Sequence, residues 1–313
     1  MSVEDYRANY NRAQGEAATR AADPTDPLAG GLAGDGDAVR GSRTDQEVIA
    51  SFADTGADTS ARVAAIDKAR LDALSRPGVM RALITVLADQ TDDARVRSAA
   101  QGALDELSFA VADFAPYEAD YRGALRIAAT DPDSQLAERA LEVLALHRDE
   151  YAQRLLVQGL EDPSTAVVSR LRALQFLGYD LHAGHYPVLR RIVEEAGDPH
   201  ERIAALRLLA ADSGSAAVLE RIVADRSEDV QARTVSAVAL NAQNPDAFAS
   251  KAREIVLDPE EDDDLRAISL TALTVVPEVT DGPDLAEAVM STPIPPSPEL
   301  ERAAQQYREA KSR

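Results

Sequence analysis

A turn followed by a one-sided helix recurs along this chain, and the recurrence limits the folds open to it. The copy at Asp162-Pro163-Ser-Thr-Ala-Val167-Val168-Ser-Arg-Leu171-Arg-Ala-Leu174-Gln-Phe-Leu177-Gly178 shows the pattern. The first branched or leucine residue after each turn serves as an anchor: Val63, Val96, Leu136, Val167, Ile203, Val230 and Leu265. The intervals between anchors are 33, 40, 31, 36, 27 and 35 residues, a period that marks stacked supersecondary units. Five residues before the anchors stand Asp58, Thr91, Asp131, Asp162, Asp198, Asp225 and Glu260. Six of these seven are acidic, which suits acceptors at a helix start. Pro132, Pro163 and Pro199 follow three of them, where a fixed φ favours a first turn.

After each anchor, apolar residues continue at three- and four-residue steps, as in Val96, Ala99, Ala100, Ala103, Leu104 and Leu107. Ahead of the turns lie further helical stretches: 79–87, 121–129, 151–160, 186–193, 218–223 and 248–257. Each unit reads as helix, tight acidic turn, helix. Composition agrees. Hydrophobic residues make up 45% but aromatics only 4%, with no Trp, so the apolar content is mainly Ala, Leu and Val. Neither helix of a unit can bury its stripe alone, and side-by-side stacking would give a continuous core. The interval of 40 is stretched by Phe109–Ala119.

The segment Asp93-Ala-Arg-Val96-Arg97-Ser-Ala99-Ala100-Gln-Gly-Ala103-Leu104 resembles the HEAT repeat, above all its short bacterial form. The resemblance covers about residues 45–275 and implies an all-α fold, a right-handed α-solenoid of about seven HEAT-like helix pairs. The arginine after the anchor is kept at Arg97 and Arg266 only. The resemblance says little about activity, because such solenoids host unrelated roles.

Three regions follow: 1–44, an N-terminal helix and linker; 45–276, the repeats; and 277–313, a proline-rich segment with a C-terminal helix. Residues 1–22 suit a short polar helix, and 23–43, rich in Gly, Asp and Pro, suit a flexible linker. Gly30-Gly31-Leu-Ala-Gly34-Asp-Gly36 lacks the preceding strand and the Gly-Lys-Ser/Thr of a phosphate loop. Pro277, Pro283, Pro293, Pro295, Pro296 and Pro298 stop helices, and Glu299–Arg313 reads as a final one. The polar start and the absence of any spanning apolar run predict a soluble cytoplasmic protein.

The net charge is −21. Residues 1–44 hold seven acids and five bases, a net of −2, so the remaining −19 lies on the chain beyond them. That field repels nucleic-acid phosphates and anionic lipid, so neither nucleic acid nor membrane is expected as a partner. A salt-adapted source would share this bias. Cysteine is absent, which removes disulfides, thiolate catalysis and Cys-based zinc sites.

Each candidate site has a plain structural alternative. His182 and His185, with Asp180, have metal-ligand spacing but no evident further ligands; the alternative is a pair of loop histidines. His200-Glu201 is a single His-Glu pair, whereas the HEAT-like deoxyhypusine hydroxylases carry several to hold two irons. The run Asp258-Pro-Glu260-Glu261-Asp262-Asp263-Asp264 lacks the glycine and alternation of a calcium loop and suits a helix N-terminus. No catalytic constellation and no cofactor site emerges. Five residues after the anchors stand Lys68, Gln101, Leu141, Arg172, Leu208, Val235 and Leu270. Of these, Leu141, Arg172, Leu208, Val235 and Leu270 are the candidate partner-binding stripe on the second helices; the alternative is burial between neighbouring units. Arg172 interrupts an otherwise apolar series.

These features favour a non-catalytic interaction scaffold in a bacterial cytoplasm, binding a protein or peptide on its concave face, with basic partners favoured by the acidic body. The competing reading is an enzyme or maturation factor like the HEAT-like bilin lyases or metal hydroxylases.

Overall fold

The computed structural model describes residues 44–195, 197–276, 284–292 and 295–312. The expected features at 1–43, together with Pro277, Pro283 and Pro293, lie outside the described residues. All regular structure among the described residues is helical, so the fold is all-α. The chain divides into two compact units. The first runs to Gly159 and includes Ser164–Val168; the second comprises Leu160–Pro163 and everything from Ser169 onward.

In the first unit, α1 (Asp45–Ala53) pairs with α2 (Thr59–Ala69), and α3 (Pro77–Ala88) with α4 (Ala94–Ser108). A short helix, α5 (Val111–Phe114), then precedes the pair α6 (Glu118–Ala128) and α7 (Ser134–Leu146). The first helices pack as a row, α1 on α3 on α6, and the second helices as another, α2 on α4 on α7. Helix α8 (Glu150–Glu161) follows.

The second unit contains α9 (Arg170–Leu177), then the pairs α10 (Tyr186–Glu195) with α11 (Pro199–Leu208), α12 (Ala216–Ala224) with α13 (Val230–Gln243), and α14 (Pro245–Leu257) with α15 (Asp263–Ala272). Helices α16 (Leu285–Met290) and α17 (Pro298–Lys311) complete it. Its second helices form a row too: α9, α11, α13, α15 and α17. The helices expected from apolar spacing are all present.

The register of the second helices is set by their caps. Asp58, Asp93, Asp133, Ser169, Asp198, Asp229 and Asp262 each accept a backbone N–H of the first turn through the side chain. Only Asp58 and Asp198 are among the acids expected to cap. Asp131 and Asp225 sit earlier in their turns and bind Asp133 N–H and Ser227 N–H instead.

Counted from the caps, the fourth residue is Arg62, Arg97, Arg202, Arg233 or Arg266 in five helices, and Ala137 or Ala173 in the other two. The arginine that follows the anchor in only two copies thus recurs in five when the count starts at the cap. Their guanidiniums form a set of equivalent rungs. Arg233 Nε donates to Val223 O at 3.0 Å, and its terminal nitrogens grip both oxygens of Glu261 at 2.7 Å. Arg202 does the same with Val193 O and Glu228, and Arg62 with Phe52 O and Asp92. Arg97 reaches Asp92 O and Asp131. Arg266 donates to Val256 O and pairs with Asp263. In most rungs, therefore, an arginine from one unit reads the end of its own first helix and the acidic turn of the next.

Candidate functional site

The predicted partner stripe does not lie on one face. Anchoring on apolar residues mixed several helical registers. Gln101, Leu141 and Leu270 stand eight residues after their caps, and that position is fully buried in the seven second helices from α2 to α15: Ile66, Gln101, Leu141, Leu177, Leu206, Ala237 and Leu270 are all 0% exposed. Leu141 and Leu270 are therefore core residues, closed to a partner. Arg172, Leu208 and Val235 fall at other positions and remain partly exposed. The structure brings Leu208 to a groove between second helices, while Arg172 folds back on its own helix. The Arg172 guanidinium lies 4.7 Å from the centre of the Phe176 ring and donates to Gln175 Oε1 at 2.9 Å.

The histidine pair is a turn, not a ligand set. His182 Nε2 is 3.0 Å from Asp180 Oδ2, and His182 N–H donates to His185 Nδ1 at 3.3 Å. Burial, with His182 beside it, pushes His185 below the usual histidine range. No cluster of three or more His, Asp or Glu suited to a metal occurs among the described residues. Glu201 pairs with Arg170, and His200 N–H is bound by the cap Asp198. The acidic run is likewise occupied: Asp258 pairs with Arg226, Glu261 with Arg233, Asp262 caps α15, and Asp263 pairs with Arg266.

Two grooves remain. The first, of about 260 Å³, lies in the first unit where the interval stretches to 40 residues. Phe114, Tyr121, Leu125 and Leu144 line it, with Val111 at its mouth. Phe114 meets Tyr121 edge to face at 5.5 Å. The Tyr121 hydroxyl donates to Asp105, and burial pushes both groups above their usual ranges. Val111 in its lining is 73% exposed, and Phe109 and Leu146, each next in sequence to a lining residue, are 86% and 56% exposed. Phe109 and Val111 gave no signal in the sequence because they sit in the segment that breaks the helical period, and the long interval was the available sign of them.

The second groove, of about 350 Å³, crosses α9, α11 and α13 in the second unit. Leu174 and Ile203 are buried in its floor, Leu171 and Leu208 are half-buried walls, and Gln175, His200, Arg207 and Gln231 are exposed at its rim. Neither groove sets a nucleophile against a base. Both are suited to receiving apolar side chains.

No described helix is long and apolar enough to cross a membrane. Comparison with known proteins finds no matching family model, no similar curated protein and no similar solved structure.

Proposed function

We propose that this chain is a non-catalytic protein-interaction scaffold: a right-handed α-solenoid of HEAT-like repeats that binds a segment of a partner protein. The observation that carries the reading is the groove of the first unit, whose lining residue Val111 is largely exposed and whose lining residue Ser108 is followed in sequence by the exposed Phe109. Large apolar side chains left exposed next to an apolar groove mark interaction surfaces. A volume near 260 Å³ falls below the roughly 300–1,000 Å³ of small-molecule sites and suits one or two anchoring side chains. An amphipathic helix presenting such an anchor is the fitting occupant. With acids well in excess over bases, basic residues flanking that anchor would be favoured. The repeat reading is supported by the paired helices, the recurring caps and the arginine rungs.

The test compares the wild-type chain with Phe109→Asp/Val111→Asp, each used as bait in extracts of the source cells after cross-linking. Both positions are exposed, so circular dichroism should show unchanged helix content. A partner captured by the wild type and lost by the variant supports the proposal. Equal capture by both would sink it, as would iron or a chromophore retained by the purified protein.

A further inference from the structure

The groove across α9, α11 and α13 differs in charge from the chain that contains it. The chain has 54 acids against 33 bases, yet no carboxylate lines this groove. Its polar lining is Gln175, His200, Arg207 and Gln231. Asp198 and Asp229, nearby in sequence, are helix caps engaged by backbone N–H groups. The Arg207 side chain is exposed and, like those of Arg191 and Arg253, makes no ion pair or hydrogen bond among the described residues, whereas Arg170, Arg190, Arg202, Arg226 and Arg233 of the same unit pair with acids. Gln175 adds a second donor. A guanidinium can only donate, so the amide atom facing Arg172 at 2.9 Å is the oxygen, and the Gln175 NH₂ is left to bind elsewhere. Gly178 completes the wall. A Cβ there would stand 3.3 Å from Leu208 Cδ2, so the bare backbone leaves Leu208 its place over the groove.

We propose that this groove binds an acidic, leucine-bearing segment of a partner protein, its apolar side chain held between Leu171 and Leu208 and its carboxylate by Arg207 and the Gln175 amide. The site is separate from the apolar groove of the first unit and selects the opposite charge. At physiological ionic strength fields are screened beyond about 8 Å, so the lining governs a docked segment more than the net charge does.

The test titrates the full chain into two fluorescein-labelled peptides followed by anisotropy. One has a central Leu flanked by Glu and Asp; the other replaces each acid with Lys. The wild type should bind the acidic peptide about tenfold more tightly, the discrimination of one well-placed charge pair. Arg207→Glu should reverse the order, Leu208→Asp should weaken binding of both, and Phe109→Asp/Val111→Asp should change nothing. That last arm separates failure of this site from failure of the scaffold reading. Equal or tighter binding of the lysine peptide overturns the proposal, as does no binding of either up to 1 mM. Displacement of the peptide by free glutamate alone at similar concentration would assign the groove to a small anion. A wild-type dimer that dissolves in Arg207→Glu would assign it to a second copy. Either result overturns the partner-segment proposal.

Discussion

Arg233 is 5% exposed, and its guanidinium meets a helix-end carbonyl and both oxygens of Glu261. Replacing such a pair by apolar groups costs little, but removing one partner leaves the other charged and dry. Arg233→Met should therefore destabilise the protein by about 3–5 kcal/mol in urea unfolding, and Arg233→Met/Glu261→Leu should recover most of that loss. The hydrogen bond from Arg233 holds the Glu261 carboxyl below the usual glutamate range, and Arg202 does the same for Glu228. A carboxyl depressed on folding adds stability that is fully present above the ordinary glutamate pKa of about 4.3 and is lost as pH falls through the depressed value. The urea midpoint of the wild type should thus fall below about pH 4.3. In Arg233→Met, whose Glu261 has lost the main cause of its depression and keeps only the Asp262 N–H and Arg226, that fall should be shallower. An identical acid limb in both proteins would show that the rung does not set the titration.

At the scale of the helix, the position eight residues after the cap is core in the seven second helices from α2 to α15, and six of the seven carry an apolar side chain there. The exception is Gln101 on α4, whose amide oxygen and nitrogen are both buried without a hydrogen-bond partner. A buried, unmatched amide costs about 1–3 kcal/mol. Gln101→Leu, which matches Leu141, Leu177, Leu206 and Leu270 at the same position, should raise unfolding stability by about that amount. Unchanged or lowered stability would mean the site cannot take the branched side chain. The same alignment explains how far the sequence could be read. Apolar spacing located the helices, because a three- or four-residue step survives any choice of origin. It did not locate their faces, because an origin placed on Val63, Val96 or Val230 falls five, three or one residue after the cap. That drift turned the predicted partner stripe into a mixture of core and surface. The caps themselves were visible as acids, but several turns hold two, and only the backbone geometry tells a cap from a rung partner such as Asp131. The groove lined by Val111 and Phe114 was legible only as an irregular interval, since those two residues fall in the segment that interrupts the period, while Tyr121 and Leu125 in its lining read as ordinary helix positions. Arg207 gave no signal at all: its distinction is an unpaired side chain in the lining of a groove, which only packing reveals.

Across the whole chain, charge works at two ranges. The rungs joining Arg62 to Asp92, Arg97 to Asp131, Arg202 to Glu228 and Arg233 to Glu261 are largely buried and are screened little by salt. The exposed pairs, such as Arg154 with Glu150 and Arg302 with Glu299, contribute between nothing and about 1 kcal/mol each. Against them stands the self-repulsion of a net charge of −21, which opposes the compact state and falls off over a Debye length. Raising salt weakens both the exposed pairs and the repulsion. Because the exposed pairs are individually small while the charge excess is spread over both units, the repulsion is the larger loss. Stability should therefore rise with salt, and each kcal/mol gained should lift the melting temperature by about 2–4 °C. Thermal melts in sodium chloride from low to high concentration at pH 7 measure this directly. A melting temperature that falls with salt would mean that the exposed pairs outweigh the net charge. A parallel series on Arg233→Met should run at lower temperature with the same slope, because the rung it removes lies in the interior.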